Sequence, residues 1–277
     1  MQFRANGKVN LILNVYDQNC NGYHNVEMIM APITLFDIIN IEFNDSLVVN
    51  TPGVSQEDNL ITKMVKLIEE TYNIQIKLLI DVEKHLPAAG GVAGGSSDAV
   101  CVLKAINLLY DLNLSREEML HLSAQIGSDC PFFVDNCISL VTGRGEEVLS
   151  LDYEINQELI LVNPGINVST KAVFDNYTNT NDHGDIEQFL SSNNINYLHN
   201  DLTASCCELY PEVKSLLKDL DNYHYPSLLS GSGSSCFMIV DNQLDAEKIV
   251  AQLSNKYPLV YQVQVVNRIE EEHEYFN

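Results

Sequence analysis

The sequence predicts an α+β protein of two domains, and three observations carry that prediction. Near the N-terminus, Val9, Leu11, Leu13 and Val15 alternate with other residues, the period of a strand. A glycine-rich run, Leu86 to Ala99, lies between a strand-like and a helix-like segment. After Pro211 the pattern runs helix, strand, helix, strand, which suggests an α+β sandwich. At 277 residues the chain has room for one large domain or two smaller ones. A second half begins near Leu151, so the expected domains are 1–150 and 151–277.

The elements follow in order. The alternation at Val9–Val15 is the first strand, and Asn19-Cys20-Asn21-Gly22 reads as a turn. Ile39, Ile41 and Phe43 alternate in a second strand. From Asn59 to Ile68 the apolar spacing is helical. Ile76 to Val82 is a strand that feeds the glycine run. From Ala99, the recurrence of Leu103, Ile106 and Tyr110 marks a helix. Ser115-Arg116-Glu117-Glu118 is a capping-box signature for the next helix, which should stop at Gly127. Ile138 to Val141 reads as a strand ended by Gly143-Arg144-Gly145. In the second half, Leu159–Val162 is a strand broken by Asn163-Pro164-Gly165. The Asn-, Asp-, Ser- and Gly-rich stretch 179–196 is expected as a mobile loop or a small insertion. Pro211 to Leu220 is a helix with proline near its start. Cys236–Val240 is a strand, Asp245–Leu253 a helix, and Val260–Val266 a strand. The acidic Glu270-Glu271-Glu272 reads as a solvated face or tail.

Composition sets limits on function. A formal charge of −23 argues against general binding to nucleic acid or to anionic membranes. A protein this acidic needs local cations, or a metal, to hold a phosphorylated substrate. The seven cysteines are Cys20, Cys101, Cys130, Cys137, Cys206, Cys207 and Cys236. Their number is odd and no Cys-x-x-Cys occurs, so they read as free thiols in a reducing cytoplasm. Met1-Gln2-Phe3-Arg4 leads straight into a strand pattern without a basic-then-apolar leader, and no apolar stretch has the length of a membrane span. The expectation is a cytoplasmic protein.

The glycine run has the composition of a phosphate cradle. Glycines let backbone amides crowd an anion without a Cβ in the way. The following helix N-terminus adds free N–H groups and the positive end of a dipole. The run is not a P-loop, because no Gly-Lys-Ser/Thr closes it. Three other segments bear on it. Lys8 heads an apolar strand; alone it reads either as a strand-end residue snorkelling outward or as a cation aimed at a transferring phosphate. Asp129, in Gly127-Ser128-Asp129-Cys130-Pro131-Phe132-Phe133, is either a turn residue or a carboxylate oriented toward a hydroxyl. Ser230-Gly231-Ser232-Gly233-Ser234-Ser235 reads as a flexible linker or, between a helix and a strand, as a loop whose amides face the first cradle.

Taken together and in order, the Lys8 segment, the run Pro87–Ser97 and the late Ser-Gly-Ser-Gly resemble the three motifs of the GHMP kinase superfamily. Asn21-Gly22-Tyr23-His24, Asp58-Asn59-Leu60, Thr142-Gly143-Arg144-Gly145-Glu146 and Asn200-Asp201-Leu202 narrow the resemblance to the 4-diphosphocytidyl-2-C-methyl-D-erythritol kinases within it. The resemblance covers almost the whole chain. It implies a two-domain GHMP kinase fold, with a ribosomal-protein-S5-like N-terminal domain that binds ATP and carries catalysis, and a ferredoxin-like α/β sandwich behind it. It implies transfer of the γ-phosphate of ATP to the 2-hydroxyl of 4-diphosphocytidyl-2-C-methyl-D-erythritol, in the non-mevalonate route to isoprenoid precursors. Lys8 and Asp129 fall on the catalytic positions. Asp129 would accept the hydroxyl proton and Lys8 would stabilise developing charge. ATP would lie on Pro87, Ala88, Ala89, Gly90, Gly91, Val92, Ala93, Gly94, Gly95, Ser96 and Ser97, with Asn59 and Lys84 near the adenine. Mg²⁺ would bridge the phosphate oxygens, located by Ser97 or its neighbour. Tyr23 and Phe174 match the aromatics that stack on cytosine, His24 the residue that reads the base edge, and Asn10 and Thr170 polar substrate contacts.

The chain departs from the family pattern at Asn6 and Gly7, where Pro and Ala are usual, and at Ser234, where Pro is common. Ala93 replaces a glycine of the phosphate loop, and its methyl crowds the loop if that position has a positive φ. The rival readings are another GHMP kinase, of homoserine or mevalonate type, or a weakly active nucleotide-binding regulatory relative. The expected partner is the small-molecule substrate, with no nucleic acid and no membrane, in a monomer or homodimer.

Overall fold

The computed structural model describes residues 1–18, 24–192 and 197–267. Two long antiparallel strands, β1 (Gln2–Gln18) and β2 (His24–Phe43), form the spine. The expected turn at Asn19–Gly22 and the candidate Tyr23 lie outside the described residues. β3 (Val48–Asn50), β4 (Leu78–Glu83), β5 (Ser139–Thr142) and β6 (Glu147–Ser150) extend the first sheet. β4 and β5 pair with different stretches of the same edge of β2. A two-residue strand from the second half, β8 (His199–Asn200), pairs in parallel with β1 on the far side. The second sheet is antiparallel, in the order β11 (Leu259–Val263), β7 (Glu158–Asn163), β10 (Cys236–Val240), β9 (Ser227–Leu229).

Alternation explains how the sheets stack. In β7, Leu159 and Leu161 join Phe237 and Ile239 of β10 in one cluster with Val9, Leu11, Ile29, Ala31 and Ile33 of the first sheet. The intervening Ile160, Val162, Met238 and Val240 belong to the other cluster, with Val213, Leu216, Leu220, Ala246, Ile249 and Leu253. These last six lie on α8 (Pro211–Asp221) and α9 (Gln243–Leu253). One face of the second sheet therefore meets the first sheet, and the other meets two helices. That is why β7 and β10 read as unbroken apolar runs.

The first sheet carries α1 (Leu60–Tyr72), α2 (Gly94–Leu109) and α3 (Arg116–Ile126); α2 packs on β1, β2 and α1. The capping box at Ser115 is present: its hydroxyl accepts from Glu118 N and the Glu118 carboxylate accepts from Ser115 N, and Gly127 caps the far end. α2 begins at Gly94, inside the glycine run, which itself winds into the first turn.

Four short helices were not foreseen: α4 (Phe132–Asp135), α5 (Thr170–Asp175), α6 (Ile186–Ser192) and α7 (Leu202–Leu209). α6 corrects the expectation of a mobile loop for part of 179–196, since Ile186–Ser192 is helical. Phe189 is fully buried there, its ring 5.4 Å from that of Tyr153. The segment is also pinned to β1, since Asn14 Nδ2 donates to Gly184 O (2.9 Å) and Gly184 N donates to Asn14 Oδ1 (2.8 Å). Residues 193–196, and the acidic Glu270–Glu272, lie outside the described residues.

Candidate active site

Where the halves meet, the chain encloses a cleft of about 980 Å³, at the upper end of ligand-site volumes. The end that holds the glycine run is built from four segments that are far apart in sequence. Pairing of β1 with β2 shifts register between Asn6 and Lys8, and a bulge of this kind re-aims a side chain. Lys8 N donates to Val92 O (3.1 Å), which fastens the glycine run to the strand beside the bulge. The Lys8 side chain is only 3% exposed, and its ammonium donates to Asn10 Oδ1 (2.6 Å). Burial lowers the Lys8 pKa, and the nearby charge of Asp129 opposes that shift.

Asp129 is half-buried in the turn between α3 and α4 and lines the same cleft. The turn is braced from behind. A Cβ on Gly145 would come within 2.7 Å of Ser128 O, so the 143–146 turn sits directly against it. The Ser96 hydroxyl and the Cys130 thiol both lie beside Gly127, so the start of α2 approaches the same turn.

The glycine run and the late Gly/Ser loop form a seam. Ser235 N donates to Gly90 O (3.1 Å) and Ser230 Oγ donates to Gly91 O (3.0 Å). A Cβ on Gly91 would lie 2.0 Å from Ser230 O. Ala93, the N-cap of α2, has φ 55 and ψ 33, so the departure from glycine falls at a left-handed position. An L-residue pays about 1–2 kcal/mol there.

Most of the expected ATP residues line the cleft: Pro87 to Gly91, Ala93 to Ser96, Asn59 and Lys84. Two of the run turn away. Val92 is fully buried in the cluster between the sheets, and Ser97 faces inward on α2. Asn59 caps α1, accepting from Ile61 N (2.9 Å) and donating to Thr51 Oγ1 (2.9 Å). Lys84 is held by two carboxylates, pairing with Asp37 and, at 2.8 Å, with Asp98. Burial alone would lower its pKa, but Asp98 and Asp37 outweigh it and raise it. Its charge is therefore already answered inside the protein. Burial raises the Asp98 carboxyl, against the pull of Lys84. Sequence reasoning missed this pair because Asp37 lies 47 residues from Lys84.

At the other end, His24 sits 5.7 Å from the Phe174 ring and 5.9 Å from the Tyr177 ring. Its Nδ1 is 2.7 Å from Tyr16 O. A carbonyl only accepts, so Nδ1 carries the hydrogen and Nε2 of the neutral ring keeps an acceptor lone pair. Thr170 Oγ1 lies 2.9 Å from Ser232 Oγ, on the cleft wall. Asn10 also borders the cleft, but its oxygen takes Lys8 and its amide donates to Met28 Sδ (3.3 Å), so it aims the lysine. Arg144, absent from the sequence-based candidates, joins Lys8, Lys84 and Lys171 on the wall and pairs with Glu146 (3.2 Å). The Thr-Gly-Arg-Gly-Glu turn was the signal that could have found it.

Comparison with known proteins fits this geometry. Residues 59–136 match the GHMP kinases N terminal domain and residues 174–259 the GHMP kinases C terminal domain. The 4-diphosphocytidyl-2-C-methyl-D-erythritol kinase of Clostridium botulinum (strain Alaska E43 / Type E3) is 33% identical over 94% of this chain and 98% of its own length. The chain belongs to the 4-diphosphocytidyl-2-C-methyl-D-erythritol kinase family. A second member, from Clostridium novyi (strain NT), is 34% identical over 94% of this chain and 98% of its own length. A crystal structure of a 4-(cytidine 5'-diphospho)-2C-methyl-D-erythritol kinase superposes with a TM-score of 0.83 at 26% identity, covering 96% of this chain and 99% of the other. A homoserine kinase from Cytophaga hutchinsonii has a TM-score of 0.70 at 17% identity, over 95% of this chain and 96% of its own. That likeness is one of fold. Among the described residues no helix is long and apolar enough to cross a membrane.

Proposed function

We propose that this chain transfers the γ-phosphate of ATP to the 2-hydroxyl of 4-diphosphocytidyl-2-C-methyl-D-erythritol, in the cytoplasm, as a step toward isoprenoid precursors. One observation carries the reading beyond family membership. A single cleft joins a phosphate cradle with a Lys–Asp pair at one end to an imidazole–aromatic pair at the other. The second end suits a base. His24 Nε2, as an acceptor, complements the exocyclic amino donor that cytosine carries and uracil lacks. Phe174 supplies a face for stacking; Tyr23, the second aromatic of the reading, lies outside the described residues.

The chemistry divides among few groups. The glycine-run amides and the N-terminus of α2 hold the triphosphate. Asp129 accepts the proton of the 2-hydroxyl as the new P–O bond forms, while ADP leaves with the electrons of the broken bond. Lys8 sits where it offsets charge on the transferring group, and Arg144 adds a further cation on the wall of a strongly acidic protein. Mg²⁺ fits the donors at hand. Among the described residues no three His, Cys, Asp or Glu side chains form a cage. The cleft-facing Ser96 would offer a hard oxygen ligand, and Mg²⁺ is commonly held by one or two protein oxygens plus phosphates. When bound, it would neutralise phosphate charge.

Two measurements test the reading. ATP consumption is compared with 4-diphosphocytidyl-2-C-methyl-D-erythritol, homoserine and mevalonate as acceptors. Turnover with the first alone is expected, and comparable turnover of homoserine or mevalonate would sink it. The second is a pH profile of kcat/KM, which reports groups of the free enzyme. Lys8 acts as a cation and its pKa is lowered by burial, so activity should fall on the alkaline side below the ordinary lysine range. Lys8→Arg, which stays charged, should shift that limb upward; a limb unmoved by the substitution belongs to another group.

A further inference from the structure

Behind His24 and Phe174 lies a polar hub that the proposed chemistry does not use. Its centre is Asp201, whose side chain is 3% exposed. Its Oδ2 accepts from Val15 N (2.7 Å) and His183 Nδ1 (2.8 Å) and lies 3.3 Å from the Tyr177 hydroxyl oxygen, and its Oδ1 accepts from His199 Nε2 (2.6 Å). Burial alone would raise this carboxyl, but the bonds from His199, Val15 N and His183 outweigh it and lower it. The hub is thus ionised and fully engaged.

The arrangement follows from the end of a strand. β8 pairs with β1 only at Ile12 and Leu13 before the chain turns into α7. Asp201 N donates to Leu13 O (3.0 Å), and the next acceptor that β1 needs, for Val15 N, is the Asp201 carboxylate instead of a strand carbonyl. Tyr177 OH donates to Val15 O (2.8 Å) and completes that residue's backbone bonding. The consequence passes to the base end by two routes. Val15 leads to Tyr16, whose carbonyl holds His24 Nδ1 and whose ring lies 4.6 Å from His183. Tyr177 leads directly to His24, ring against ring.

We infer that Asp201 is a positioning residue for the base-recognising end of the cleft, fixing the Val15–Tyr16 backbone and Tyr177 so that His24 is pre-set, in place and in tautomer, to receive cytosine. The inference rests on the base reading proposed above. Preorganisation of this kind is felt as substrate affinity, because a loosened group must be re-ordered on binding.

The test is a split between the two substrates. Asp201→Asn turns one acceptor oxygen into an amide donor that confronts the donors around it. The KM for 4-diphosphocytidyl-2-C-methyl-D-erythritol should rise about ten-fold or more, while that for ATP stays within about two-fold, since displacement of supporting groups acts locally. Tyr177→Phe removes only a hydroxyl, folds without burying a new polar group, and should show the same split at about three-fold. A general loosening of the fold moves both constants, so equal rises, or no rise in either variant, overturn the inference. Calorimetric titration with cytidine 5′-diphosphate and uridine 5′-diphosphate separates it from its foundation. If the unaltered protein binds both alike, the base reading fails. If it prefers the cytidine compound and both variants keep its full affinity, the base reading stands and the role of Asp201 falls.

Discussion

Asp129→Asn should lower kcat by about 10²–10⁴, the usual worth of a positioned general base, while ATP binding persists. That range is about 3–5.5 kcal/mol of transition-state stabilisation. The substitution is nearly isosteric, and the turn that carries it is held by the Cys130 N–Gly127 O bond (3.1 Å) and by the close approach of Gly145 to Ser128. Little but the carboxylate changes. Its loss acts twice: the hydroxyl proton has no acceptor, and Lys8 loses the charge that opposes its burial. In the variant the alkaline limb of kcat/KM should therefore move to still lower pH. Steady-state kinetics with an ATP titration checks both parts, and a kcat within ten-fold of the unaltered protein would remove Asp129 as the base.

Gly91→Ala should be the most damaging glycine-to-alanine change among the described residues. Gly91 has φ +73, and its added Cβ would lie 2.0 Å from Ser230 O, a backbone atom on the opposing loop. The left-handed backbone costs about 1–2 kcal/mol. Forcing the loops apart adds about 1–3 kcal/mol. A total near 3 kcal/mol lowers Tm by roughly 6–12 °C for a chain of this size. The KM for ATP should rise as well, because the cradle moves with the seam. Gly53 provides a control. It has the same φ, +73, but an added Cβ there meets nothing within 4 Å. Gly53→Ala should cost only the backbone part, about 1–2 kcal/mol. Equal losses in the two variants would show that the seam contributes nothing.

Much of this arrangement can be read from the chain, for a physical reason. Elements set by neighbours in sequence were identified correctly. The Ser115–Glu118 box and the stop at Gly127 depend on contacts within a few residues, and the strand at Cys236–Val240 is marked by its unbroken apolar run. The glycine run is likewise visible in the composition, which decides how closely backbone amides can approach an anion. The misses share an opposite cause. β8 is two residues long and exists only through Ile12 and Leu13, and α6 is held by Phe189 in a core assembled from both halves. No local period marks either one.

The candidate site divides along the same line. The residues themselves determined the elements, the cradle, the family and the chemical parts: a lysine, an aspartate, an imidazole and an aromatic ring. Their assignments were decided by folding. Only the tertiary structure turned Val92 and Ser97 inward, neutralised Lys84 between Asp37 and Asp98, and set Asn10 to aim Lys8. It alone placed Gly91 against Ser230 and Asp201 behind His24, pairs separated by more than a hundred residues. Burial and charge pairing depend on what lies across the cleft, and a sequence orders residues along the chain without saying which of them will meet.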